Sequence, residues 1–391
     1  MNSDIFAHKV RTSTAIVALL LISGAGACLF SQSDAPQPPA QPPAPTTPTL
    51  SLGEPTRSVK LEPDDPAKIK YQNGFFFNFD VTGRILIRDK DGHVTGDLNL
   101  RATETSKHAN VLDMEDAAVF KDGSIVASWM YRLTDDNSDM YFNLVHYDQA
   151  GNYLEEIDPG RWRAFRICIA DDKSVWTLSG EEKSGYPVYS PGEGVLRNYK
   201  FGSGLVHAAV PRSTFPSDRY YNYMAGKVAI DCSGDRIHVL TADSQWIEYA
   251  PSADFTITKI EPFSHATFGA YWQMAGFACL HDGHAYAVIH SVPGDPFRRY
   301  LAELLPTKDG KSLQWVEVPD KTLPANNHPP APTLAATPAA KTPPADTPKE
   351  PVEVTAVLGV DHEDGEQLVY RITANDSILF SRPSFAGPTP R

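Results

Sequence analysis

The feature that most constrains this chain is a repeated double hairpin. In Ala117 to Asp158, a Lys121-Asp122-Gly123 turn separates Ala118-Val119-Phe120 from Ser124 to Trp129. A second turn, at Gly151, separates Tyr141 to Tyr147 from Tyr153 to Ile157. Asp-Gly between two β-rich runs is a strong local hairpin signal. The first-hairpin turn recurs at Asp171-Asp172-Lys173, Ser233-Gly234-Asp235, His281-Asp282-Gly283 and Glu363-Asp364-Gly365. A β-rich run follows each, as in Ser174-Val175-Trp176 and Ala285-Tyr286-Ala287-Val288. A second series interleaves with the first and starts near Ile85, Leu144, Val195, Trp246 and Leu301. Successive starts lie roughly 50–60 residues apart, somewhat above the ~40–50 of common blade repeats.

Four antiparallel strands per repeat, none able to bury its faces alone, predict an all-β propeller of four-stranded antiparallel blades. A β-sandwich with similar hairpins is the alternative, but it does not explain two series running in phase. The count is six blades, or five if Val354 to Ile372 completes the blade around Ile85. Lys68 to Leu100 supplies three strands at the start, and Ser377 to Ser381 supplies one near the end. Closure by N- and C-terminal strands in one blade is expected, because it removes two exposed edges.

The flanks read differently. Residues 1–30 form a signal peptide or membrane anchor: a basic start, an apolar run from Thr14 to Phe30, and small residues at Ala25-Gly26-Ala27. Cleavage, retention as a short anchor, and lipidation at Cys28 all remain open, and each exports the body. Residues 31–66 read as a Pro-rich disordered spacer, 67–382 as the propeller with a Pro-rich disordered insertion at 323–351, and 383–391 as a disordered tail. Of the four cysteines, Cys28 belongs to the export segment. Cys168, Cys232 and Cys279 are expected to be buried thiols, because strands of adjacent blades look too distant to bridge; one disulfide is the lesser alternative.

The net charge of −13 with scattered Lys and Arg excludes the basic stripe of a nucleic-acid binder. The GxSxG elbow, HExxH, P-loop and dinucleotide fingerprint are all missing from the sequence. Hairpin turns within the repeats are short, whereas the connections between hairpins and between blades are long. Binding residues therefore belong on the long-loop face. Glu115, Asp116, Arg163, Arg166, Tyr223, Tyr271 and Trp272 sit at or before inner-strand entries there and are the candidate binding residues. Carboxylate, guanidinium and aromatic groups together suit a polar ligand such as a sugar. The plainer reading of each is packing and charge pairing. His207, His265 and His290 are available for acid–base work, but nothing singles one out.

No cofactor or metal is predicted. Asp135-x-Asn137-x-Asp139 matches the start of a calcium loop but lacks its Gly and Glu, so calcium stays a minor alternative. His281-Asp282-Gly283-His284 is read as a hairpin turn rather than a metal pair.

In its repeat and export segment the chain resembles exported bacterial six-bladed propellers of the TolB-like and NHL-like kind. That resemblance implies an envelope-associated binding or scaffold module with a protein or glycan partner. The alternative it implies is a lactonase-like hydrolase or lyase acting on a small polar substrate at the channel mouth. Membrane contact would run through the N-terminal segment if it is uncleaved or lipidated.

Overall fold

Three of the Asp residues that mark the repeat in sequence, Asp122, Asp172 and Asp282, close its turns. Asp122 Oδ1 accepts hydrogen bonds from the Ser124 amide (3.0 Å) and hydroxyl (2.6 Å), and Asp172 Oδ1 does the same for Ser174 (2.9 and 2.6 Å). Asp282 receives the His284 amide at 3.1 Å. Asp148 and Asp309 close second-hairpin turns in the same way. An Asp side chain that bonds to its own backbone two residues on fixes a turn locally, before any tertiary contact exists.

The computed structural model describes residues 50–61, 69–100, 109–133, 140–183, 186–187, 190–215, 228–261, 272–291, 299–318, 354–363, 365–372 and 377–385. Their strands form six four-stranded antiparallel blades, each ordered from the axis outward. Blade 1 is Lys70–Gln72, Phe75–Phe79, Arg84–Asp89 and Val94–Asn99. Blade 2 is Ala109–Val119, Ile125–Leu133, Met140–Tyr147 and Tyr153–Ile157. Blade 3 is Trp162–Ile169, Val175–Lys183, Gly194–Lys200 and Gly204–Pro211. Blade 4 is Ala229–Ser233, Arg236–Leu240, Gln245–Ala250 and Asp254–Glu261. Blade 5 is Trp272–Cys279, Ala285–Ser291, Arg299–Pro306 and Leu313–Glu317. Blade 6 is Val354–Asp361, Gln367–Ile372, Ser377–Ser381 and the N-terminal strand Arg57–Lys60.

The inner strands touch their neighbours around the ring, and the inner strand of blade 6 meets that of blade 1. The fold is therefore a closed six-bladed propeller. The outer strands of blades 4 and 5 also pair in parallel, Ile260 with Leu313 and Glu261 with Gln314, so these two blades share one continuous sheet.

Six apolar cores fill the gaps between blades. Phe77, Ile85 and Ile87 of blade 1 pack on Met114, Trp129 and Tyr147 of blade 2. Leu240 and Trp246 of blade 4 meet Cys279, Ile289 and Trp315 of blade 5. Val59 from the N-terminal strand joins Tyr71, Phe76 and Phe380 between blades 6 and 1. Each fully buried large apolar side chain contributes about 1.5–3 kcal/mol, and each core needs both blades that flank it.

Several boundaries differ from the sequence reading. Blade 1 has a fourth strand at Lys70–Gln72, and its brevity hides it. Leu50–Leu52 and Arg57–Lys60 are strands within the stretch read as spacer, and Pro383–Phe385 is a strand within the stretch read as tail. Leu50–Leu52 pairs with Pro383–Phe385, so both ends are held by partners more than 300 residues away that no local pattern reveals. Residues 1–30, read as a signal peptide or anchor, and 323–351, read as an insertion, lie outside the described residues. No helix among the described residues is long and apolar enough to cross a membrane.

Candidate functional site

The six inner strands enclose a central channel of about 1400 Å³. Its wall takes Lys70 and Tyr71 from blade 1, Glu115 and Asp116 from blade 2, Arg166 from blade 3, Asp231 from blade 4, Met274 and Phe277 from blade 5, and Thr355 and Asp361 from blade 6. From blade 1 to blade 4 cations and carboxylates alternate along this wall, and blade 5 adds the apolar Met274 and Phe277.

Most of these charges also hold blades together. Asp116 Oδ1 pairs with Lys70 of blade 1, and its Oδ2 receives the Ile167 amide of blade 3 at 2.9 Å. Asp231 Oδ2 receives the Cys279 amide of blade 5 at 2.7 Å. Gln72 receives the Val119 amide at 3.3 Å, and Asn73 donates to the Val119 carbonyl at 2.8 Å. Arg166 donates to the Val228 carbonyl of blade 4 at 3.0 Å and to the Phe165 carbonyl at 2.6 Å. A side chain on one inner strand thus satisfies a backbone group on the next, where no sheet hydrogen bond can reach.

Arg163 lies just behind this wall. It bridges Glu115 at 2.5 Å and Glu182 at 3.2 Å and rests over the Phe165 ring. Burial opposes its charge, but Glu115 and Glu182 outweigh burial and raise its pKa. Burial raises the Glu115 pKa, and Arg163 only partly offsets the rise. Among the described residues Asp231 has no ion-pair partner. Burial in the wall lifts its pKa to about 6, against the two amides it accepts from.

Four of the seven residues picked from sequence therefore fall at the channel or directly behind it. Glu115, Asp116 and Arg166 line it, and Arg163 orients Glu115. Tyr223, Tyr271 and the Trp272 side chain lie outside the described residues, as do His265, the His290 side chain and the Asp135-x-Asn137-x-Asp139 loop. His207 is exposed on the outer strand of blade 3, stacked on Tyr249 and away from the channel.

The expectation of buried thiols is overturned for two of the three cysteines, and the lesser alternative of one disulfide holds. Cys168 of blade 3 and Cys232 of blade 4 form a disulfide, with Cα atoms 5.7 Å apart. Inner strands converge on the axis, which brings adjacent blades within the roughly 7 Å a bridge requires. Cys279 is a buried free thiol.

Sequence reasoning passed over Asp231, which sits in the middle of a strand with no motif around it. It also passed over a cluster at the short-turn mouth of the channel. There His281 and His362 stack with ring centroids 4.4 Å apart, and the Nδ1 atoms of both face Glu366 Oε1, at 3.3 and 3.7 Å. Burial, and then the neighbouring His281, lower the His362 pKa to about 4. His284, by contrast, turns inward and pairs with the buried Glu303 at 2.8 Å.

No protein-family model matches this chain, and no curated protein is similar to it in sequence. Among solved structures, it is similar to the WD40 β-propeller domain of Doa1 (6% identity, TM-score 0.34), covering 85% of this chain and 97% of that one. It is also similar to the N-terminal domain of Nup159 (10% identity, TM-score 0.37), covering 88% and 98%. A third is the Dos1 propeller (10% identity, TM-score 0.36), covering 83% and 66%. Nothing about function follows from likenesses of this size.

Proposed function

We propose that this chain is an exported, envelope-associated propeller that binds a protein or glycan partner through its central channel and long-loop face. The observation that carries the reading is the channel wall. Its charges are of both signs and most already hold neighbouring blades, so the wall presents a rigid polar surface with apolar patches. Such a surface recognises a ligand by shape and hydrogen bonding rather than by net charge. Because the strands alternate in direction within each blade, the strand ends that join hairpins and blades lie on one edge of the ring, which suits a loop-borne partner site. The resemblance to TolB-like and NHL-like propellers and the apolar N-terminal segment support export. So does the Cys168–Cys232 disulfide, since such bonds persist in oxidising compartments.

A second reading, a hydrolase or lyase, is favoured by one observation. Asp231 is a channel carboxylate with a pKa near 6, where a group can exchange protons at working pH.

The test is a glycan and peptide array probed with the purified chain, with lactone and ester turnover assayed alongside it. We expect saturable binding of one ligand class, weakened at least tenfold by Lys70→Ala and retained by Asp231→Asn, with no turnover. Turnover abolished by Asp231→Asn would replace the binding reading with the enzymatic one.

A further inference from the structure

We propose that His281, His362 and Glu366 form a binding site for one divalent first-row transition ion of the zinc class, at the short-turn mouth of the channel. His281 comes from the first turn of blade 5, and His362 and Glu366 from the first turn of blade 6. The site bridges two blades.

The geometry is that of a ligand set. The imidazole nitrogens and the carboxylate oxygen all lie within 4.8 Å of one another. Two imidazoles and a carboxylate are the donors that borderline-soft divalent ions take, typically with a fourth position left for water or substrate. Both histidines line the channel and are half-exposed, so an ion has a way in from solvent. The set is also held in place from behind. The Glu366 carboxylate receives the His281 backbone amide at 2.5 Å, which fixes it beside the ring it would share an ion with. The His281 ring packs over Gly234 of blade 4, where an added Cβ would stand 3.1 Å from its Cδ2. Such supports orient metal ligands. Without an ion, the two imidazole rings stack beside a single carboxylate oxygen. Among the described residues that oxygen accepts a hydrogen bond from the His281 backbone amide. One bound cation would satisfy all three side chains.

The sequence reading took His281-Asp282-Gly283-His284 as a hairpin turn, and its two histidines do not face each other. His284 faces the buried Glu303, and the true partner of His281 is 85 residues further on, at Glu366.

The cluster Asp89, Asp91 and His93 provides an internal control. It meets the same distance criterion, but both backbone amides of its turn already point at Asp89 Oδ1, and it is exposed on an outer turn of blade 1.

The experiment is a titration of the tag-free purified chain with Zn²⁺ by calorimetry and with Co²⁺ by visible absorption, repeated for His362→Gln, Glu366→Gln and His93→Gln. We expect one ion per wild-type chain, a Co²⁺ d–d band in the visible, and a rise in Tm on adding Zn²⁺. His362→Gln and Glu366→Gln should each weaken binding more than tenfold, lose the band and lose the Tm response, with circular dichroism unchanged. His93→Gln should behave as wild type. If either ligand variant perturbs the fold, the wild-type stoichiometry and Co²⁺ spectrum still decide. The absence of stoichiometric binding, or equal affinity in all four proteins, would overturn the site and leave the cluster as a contact between blades. Either outcome is independent of what the channel binds.

Discussion

At the scale of single residues, two buried titrating groups in blade 4 oppose one another. His238 is fully buried and stacked on Trp246, and its ring nitrogens have no hydrogen-bond partner among the described residues. Burial takes its pKa from 6.5 to about 4, against the pull of Glu248 at 4.0 Å. Between those values the unfolded chain binds a proton that the native chain refuses. Stability therefore falls as pH drops from 6.5 to 4, with a slope of at most about 1.4 kcal/mol per pH unit. Asp231 runs the other way. Its native pKa of about 6 lies above its ordinary 3.8, so the native chain keeps a proton that the unfolded chain has lost, and stability falls as pH rises through that window. The two effects largely cancel between pH 4 and 6. Urea midpoints measured across pH 4–6.5 should show Asp231→Asn losing stability on acidification more steeply than wild type, and His238→Gln less steeply. Parallel profiles for all three proteins would contradict this account.

At the scale of elements, the joints between inner strands are built in two ways. From blade 1 round to blade 5, side chains such as Gln72, Asp116, Arg166 and Asp231 reach across to the backbone of the next blade. On either side of blade 6, backbone meets backbone directly. A Cβ on Gly276 would lie 1.6 Å from the Val357 carbonyl oxygen, and one on Gly359 would lie 2.1 Å from that of Tyr71. Gly276→Ala should therefore cost at least about 3 kcal/mol in chemical denaturation. Gly202→Ala, in an open turn with a φ of +78°, should cost only about 1–2 kcal/mol. The strands themselves were readable in the sequence because Asp-closed turns and β-rich runs are local and recur. The joints were not, because a glycine in a strand looks the same whether its surroundings are open or closed. The candidate site was readable in part for the same reason. Inner-strand entries follow from topology, so Glu115, Asp116, Arg163 and Arg166 could be picked, whereas Asp231, His362 and Glu366 acquire meaning only across blades.

At the scale of the whole molecule, the ring carries one covalent tie, between blades 3 and 4, and one closure, in blade 6. Reducing the Cys168–Cys232 bond, or replacing both residues with Ser, should lower stability by about 2–4 kcal/mol. Of Cys168, Cys232 and Cys279, thiol titration of the denatured, unreduced chain should find one reactive, and all three after reduction. The closure makes its own demand, which is one of order in time. Blades 1 to 5 are each built from consecutive chain and can pair as soon as their strands exist. Arg57–Lys60 precedes all of them yet pairs with Ser377–Ser381, and Thr56 bonds to Phe380 across 324 residues. Contacts of that separation form late and slowly. A strand made before any of those five blades is therefore among the last to find its place, and until it does, the sixth blade keeps an open edge.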